Sequence, residues 1–169
     1  KMKSLLVILA FFGAAAFGMA AQIISVDDVG VFIEIPDNWK QSDKDTFGVV
    51  VAPASEDNKK IRIHLTGHKG IPAAEAVQRS ADKIDEIRKE KGQRPEHIVS
   101  STPITTKTGI EGQKAIVGQQ GVLGAPYLNR YYFERPDGRI FCVCVYHYGD
   151  PKFSADAEQM IIATLSLKK

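Results

Sequence analysis

The chain has 169 residues, 44% of them hydrophobic, and carries Lys+Arg 22 against Asp+Glu 20 for a net charge of +2. Charges so nearly balanced, and without Lys/Arg blocks, exclude the positive surface that displaces counterions from phosphates, so no nucleic-acid partner is expected. Two cysteines, Cys142 and Cys144, exclude a disulfide-stapled scaffold, and the length suits one domain with a core of its own.

Lys1 and Lys3 stand before an apolar stretch over residues 5–17, and Gly18 and Ala20 then offer the small side chains that a signal peptidase reads. The stretch is shorter than the roughly 20 apolar residues that a membrane-spanning helix needs. Residues 1–20 are therefore expected to be a signal peptide, cleaved after Ala20, that exports the single domain 21–169 to the periplasm or the cell exterior. Retained, the segment would be its attachment to a membrane. Lys1 and Lys3 leave with it and no acid does, so the remaining chain has as many bases as acids.

Within the domain, Val31, Ile33 and Ile35 alternate with Phe32 and Glu34, which predicts a strand. Pro36-Asp37-Asn38-Trp39 ends it, because Pro cannot donate to a ladder and Asp-Asn favours a turn. Trp39 is expected to plug the corner between this strand and a helix. Residues 47–52 form a second apolar run. Ile61, Ile63 and Leu65 then alternate with Arg62, His64 and Thr66, a strand with one buried and one wet face.

Pro72 and Gly92 bracket a helix whose Ala73, Val77, Ala81, Ile84 and Ile87 recur at three- and four-residue steps, a stripe that faces a core. Glu75 with Arg79 and Asp85 with Lys89 have the spacing of stabilising pairs on its wet side. Strands follow over residues 98–105 and 113–119. A hairpin comes next, 127–134 against 139–148, around Arg135-Pro136-Asp137-Gly138, with Gly138 supplying the left-handed turn residue. Both alternating sets of the last strand are apolar, which places it at the centre of a sheet. Phe153, Ala157, Met160, Ile161 and Thr164 make the stripe of a closing helix, with Asp150 or Ser154 as its cap. Strands with short turns, and helices set apart from them, imply an α+β domain: an antiparallel sheet sandwiched by two helices.

Ile33-Glu34-Ile35-Pro36-Asp37-Asn38-Trp39 resembles the opening of the PsbP/Mog-type fold, which includes the DcrB-like exported bacterial proteins. The resemblance continues at Gly112-Gln113-Lys114-Ala115, around Pro136-Asp137-Gly138, and at Thr164-Leu165-Ser166-Leu167. It implies a non-catalytic scaffold whose relatives act as accessory subunits or bind partners, with no family active site to carry over.

The candidate chemistry sits mainly on the last hairpin. A three-residue loop, Pro136 to Gly138, would set Tyr132 opposite Cys142 and Arg130 opposite Cys144, and an Arg beside a thiol favours thiolate and soft-metal binding. The simpler expectation is that two cysteines of a central strand are small buried hydrophobes. His64 and His68 flank a turn-prone Gly67 and are the other candidate metal ligands, although two imidazoles fall short of the three or four ligands that zinc takes. All five tyrosines, Tyr127, Tyr131, Tyr132, Tyr146 and Tyr148, fall on this hairpin. Tyr127, Tyr131, Tyr132 and Tyr146, with Arg130 and His147, are the candidate surface for a partner or ligand, because tyrosine pairs apolar area with a polar tip. No Ser elbow, phosphate loop or dinucleotide fingerprint is present, so no catalytic residue or cofactor is assigned. The sequence thus points to an exported monomer that binds an envelope protein or a small ligand. The alternative is a small metal- or thiol-dependent envelope enzyme built on Cys142 and Cys144 or on His64 and His68.

Overall fold

The computed structural model describes residues 21–45, 48–54, 59–119 and 128–168. The expected signal segment and Tyr127 lie outside them. Along the chain run β1 (Ala21–Val26), β2 (Val31–Pro36), β3 (Trp39–Asp45), β4 (Gly48–Pro53), β5 (Lys60–Lys69), α1 (Ala73–Glu90), β6 (Glu96–Thr105), β7 (Glu111–Gln119), β8 (Leu128–Glu134), β9 (Arg139–Tyr146), α2 (Pro151–Thr164) and β10 (Ser166–Leu167). Seven strands form one sheet in the order β3-β4-β5-β9-β8-β7-β6, and β1, β2 and β10 form a smaller one. Every pairing is antiparallel.

The Pro136-Asp137-Gly138 loop has the expected three residues. Arg135 N donates to Arg139 O at 2.9 Å, Gly138 N donates to Arg135 O at 2.8 Å, and Gly138 takes φ 76. With that register fixed, β9 is the middle strand of the seven. It is covered on both sides, as its two apolar sets require.

One face of the large sheet offers Val51, Ile61, Ile63, Phe133, Phe141 and Val143 to Phe153, Ala157 and Ile161 of α2 and to the inner side of β1 and β2. The other face offers Ala115, Val117, Leu128, Ile140, Cys142 and Cys144 to Ala76 and Val77 of α1. The architecture is thus α+β, with the main sheet between two helices. Trp39 begins β3 and stacks on Phe153 with ring centroids 5.6 Å apart, so the strand it joins to a helix is β3, where the strand before the turn was expected. Asp150 is the cap of α2, accepting from the backbone N–H groups of Lys152 and Phe153.

Three expectations need correction. Three strands went unread: β1; β3, whose Trp-Lys-Gln-Ser-Asp-Lys-Asp sequence has no apolar alternation and is held by pairing with β4; and β10, whose Ser166 and Leu167 follow the closing helix and pair with β2. The apolar stripe of α1 buries Val77 and Ala81, along with Ala76, but Ile84 is only half-buried and Ile87 is 38% exposed. Asp85 accepts from Glu96 N at 2.8 Å and so ties α1 to β6, where a pair with Lys89 was expected.

Candidate functional site

Period-two alternation sends Cys142 and Cys144 to the same face of β9, beneath α1, with their sulfurs 3.6 Å apart. The neighbouring strands complete two rows across the sheet. His64 of β5 and Tyr132 of β8 flank Cys142, while Arg62 of β5 and Arg130 of β8 flank Cys144. An imidazole nitrogen of His64 and the two sulfurs all lie within 4.8 Å of one another. Cys142 and Cys144 are 1% and 4% exposed, and His64 is half-buried. In β4, Gly48 lies against His64: its φ is +135, and a Cβ there would collide with the Ile63 carbonyl and His64 Cβ, so glycine lets the two strands approach.

Arg130 is held by Glu96, which lies at the start of β6. Its Nη2 donates to Glu96 Oε2 at 2.7 Å, and both side chains are almost fully buried. Arg88 of α1 approaches the other carboxylate oxygen at 3.4 Å. Arg62 donates to the Tyr146 hydroxyl at 3.3 Å, and its guanidinium lies over that ring. The result is a pair of buried thiols with two guanidiniums beside them, one of which is paired with a carboxylate.

The two sulfurs are unequal. Burial, and then the hydrogen bond with Cys144, push the Cys142 thiol up. Accepting from Cys142, together with the nearby charges of Arg130 and Arg62, moves Cys144 down against the effect of burial. Cys144 is therefore the sulfur that carries charge when one of the pair ionises. Burial, helped by Cys144, raises Tyr146 to about 12, and burial also raises Tyr131 and Tyr132, so all three are neutral phenols at physiological pH.

Sealed sulfurs should resist bulky reagents. In native buffer an aromatic disulfide reagent is expected to label neither cysteine on the timescale on which it labels a free thiol. In denaturant both should react. Rapid stoichiometric labelling of the native protein would contradict this burial.

The hairpin residues are not a surface patch. Tyr131, Tyr132, Arg130 and His147 are all buried, and Tyr146 is half-buried. A docked surface needs side chains it can touch, so these residues belong to the interior; Tyr148, 57% exposed, is the described tyrosine that faces out. The expected hairpin register holds: Tyr132 stands opposite Cys142 and Arg130 opposite Cys144, and Tyr131 and Phe133 share the α2 face with Phe141. His68 does not join His64 as a metal pair. The register of β5 shifts between Leu65 and Lys69, and His68 Nε2 meets Ser80 Oγ of α1 at 3.0 Å. Glu96 and Arg62 went unsingled in the sequence because their roles follow from strand neighbours far apart in the chain.

His147 supplies a pH dependence. Burial holds its pKa below the ordinary histidine range, against a smaller opposing pull from Asp150. Between that lowered value and about 6.5 the unfolded chain takes up the proton and the folded one does not, so stability rises with pH across the window. The contribution is complete above the window and is lost as pH falls through it. His147→Leu should flatten that part of the stability curve; equal slopes for the two proteins would remove His147 as the source.

No family profile and no curated protein sequence matches the chain. In three dimensions it is similar to the solution structure of cyanobacterial PsbP (CyanoP) from Synechocystis sp. PCC 6803, with a TM-score of 0.64 over 93% of this chain and 98% of that one. Sequence identity is 12%. The fold is PsbP-like.

Proposed function

We propose that the chain is a non-catalytic accessory or binding protein of the cell envelope, working outside the cytoplasm and docking a partner protein along a sheet edge. The observation that carries this reading is the location of the polar chemistry: Arg130, Glu96 and the sulfurs lie under α1, within the sheet–helix layer. Of two surface clefts, one is lined by Asp85, Lys89 and Pro95, and the other, lined by Val26, Asp28 and Gly48, reaches His64 but neither cysteine. The PsbP-type resemblance and the leader-like first twenty residues point the same way.

With Arg130, Tyr131, Tyr132 and His147 buried, the edge strand β6 is the docking surface this reading takes. β6 is an outer strand of ten residues, with Val99 53% exposed at a register irregularity between Ile98 and Ser100. Bulges and proline, here Pro103, blunt indiscriminate edge pairing and leave short stretches for a specific strand partner. The test places a photo-crosslinking residue at 99 in one variant and at Arg79, on the wet side of α1, in another. One discrete adduct from envelope extract at 99 but not at 79, on a chain that begins at Ala21 and fractionates outside the cytoplasm, is expected. No adduct at 99, or retention in the cytoplasm, overturns the reading.

A thiol- or metal-dependent enzyme is the second reading, favoured by the His64–Cys142–Cys144 cluster. Turnover there requires a substrate to reach sulfurs that are 1% and 4% exposed.

A further inference from the structure

We infer that His64, Cys142 and Cys144 form a binding site for a single cuprous ion, held by two thiolates and one imidazole. The three donors come from the adjacent strands β5 and β9, two of them buried and His64 half-buried, and their ligand atoms lie within 4.8 Å of one another. A sulfur separation of 3.6 Å matches two metal–thiolate bonds of about 2.3 Å meeting at roughly 100°. The site therefore needs contraction toward one point and no rearrangement of the strands.

Three features choose the ion. Two sulfurs and an imidazole are soft or borderline donors, which suit monovalent copper or zinc and exclude magnesium, calcium and manganese. Zinc completes a tetrahedron with a fourth protein ligand or with water. Among the described residues the group ends at three members, and the two sulfurs are shut away from water. Three-coordination is sufficient for a cuprous ion. The guanidiniums of Arg130 and Arg62 also stand beside Cys144, and their positive potential opposes a divalent ion twice as strongly as a monovalent one.

Binding is a proton exchange with no change of oxidation state. The ion arrives as Cu(I), each thiol gives its proton to solvent, and two Cu–S bonds and one Cu–N bond form. Half-buried His64 is the outermost of the three donors and marks the side from which the ion enters. Nothing in this depends on the partner-docking reading, and the site serves a carrier or a copper-stabilised fold equally.

The test is anaerobic competition between the intact chain and a chromogenic cuprous chelator, bicinchoninate. One equivalent of Cu(I) should leave the chelator for the wild-type protein. Cys142→Ser and Cys144→Ser should each abolish the transfer, His64→Asn should weaken it by at least tenfold, and His68→Asn, whose side chain bonds Ser80, should leave it unchanged. If the serine variants do not fold, copper-edge X-ray absorption of the wild-type complex decides, with two sulfurs and one nitrogen expected. No transfer to the wild type, equal transfer to a folded Cys142→Ser/Cys144→Ser double variant, a copper shell of nitrogen and oxygen alone, or binding of zinc with none of copper would each overturn the inference.

Discussion

Glu96→Ala is expected to destabilise the protein by about 3–5 kcal/mol, among the largest effects of any single polar substitution in the chain. Arg130 and Glu96 are 7% and 6% exposed at their side chains and meet at 2.7 Å. Removing the carboxylate strands a buried guanidinium, and Arg130 already has one nitrogen, Nη1, without a hydrogen-bond partner among the described residues. The reverse truncation, Arg130→Met, should cost less, because Glu96 keeps Arg88 as a partner and the methionine fills the vacated space. Removing both charges together, as Glu96→Leu with Arg130→Met, should recover most of the loss, since apolar replacement of a buried pair is often close to neutral. Urea unfolding followed by the fluorescence of the single tryptophan, Trp39, measures all three proteins. A Glu96→Ala protein within about 1 kcal/mol of wild type would mean that water reaches the pair in solution.

Local rules carried much of this fold. The Pro-Asp-Gly loop fixed which side chains of β8 and β9 stand opposite, and so placed Arg130 beside Cys144 and Tyr132 beside Cys142 before any coordinates. Two-sided apolarity put β9 at the centre. The apolar stripes located both helices, and Asp150 announced the start of α2. What stayed hidden was non-local. Alternation says that His64 lies on the opposite face from Ile63, but it does not say that β5 will lie against β9, from which it is separated by a helix and three strands. The cluster of His64 with the cysteines therefore could not be read, and neither could the arrival of Glu96 from the start of β6. The tyrosines misled for a related reason. Their polar tips suit a surface, yet a sheet covered on both sides buries Tyr131 and Tyr132 and leaves Tyr146 to meet Arg62. β3 shows the same limit from the other direction, since a polar segment becomes a strand when a neighbour supplies the hydrogen bonds.

Phe141→Ala probes the opposite layer and is expected to cost about 3–5 kcal/mol. The side chain is 0% exposed, and its ring stacks on Phe133 with centroids 5.4 Å apart, at the level where β9 meets α2 and the small sheet. Truncation removes the buried ring and also leaves a cavity that rigid neighbours on three elements cannot close, so the loss exceeds the transfer free energy of the missing atoms. Phe141→Leu should cost no more than about 1.5 kcal/mol, because most of the volume is kept. Cys142→Ala, one residue along and on the other face, deletes a single sulfur and should stay near 1 kcal/mol. A domain of this size has about 5–15 kcal/mol in all, so Phe141→Ala takes a large share of it and should lower the melting temperature by roughly 6–20 °C. Thermal unfolding of the three variants in parallel gives the order Phe141→Ala well below Phe141→Leu and Cys142→Ala. If Cys142→Ala instead fell as far as Phe141→Ala, the α1 layer would hold the fold together, and the sulfurs would have a structural weight that their size alone does not explain.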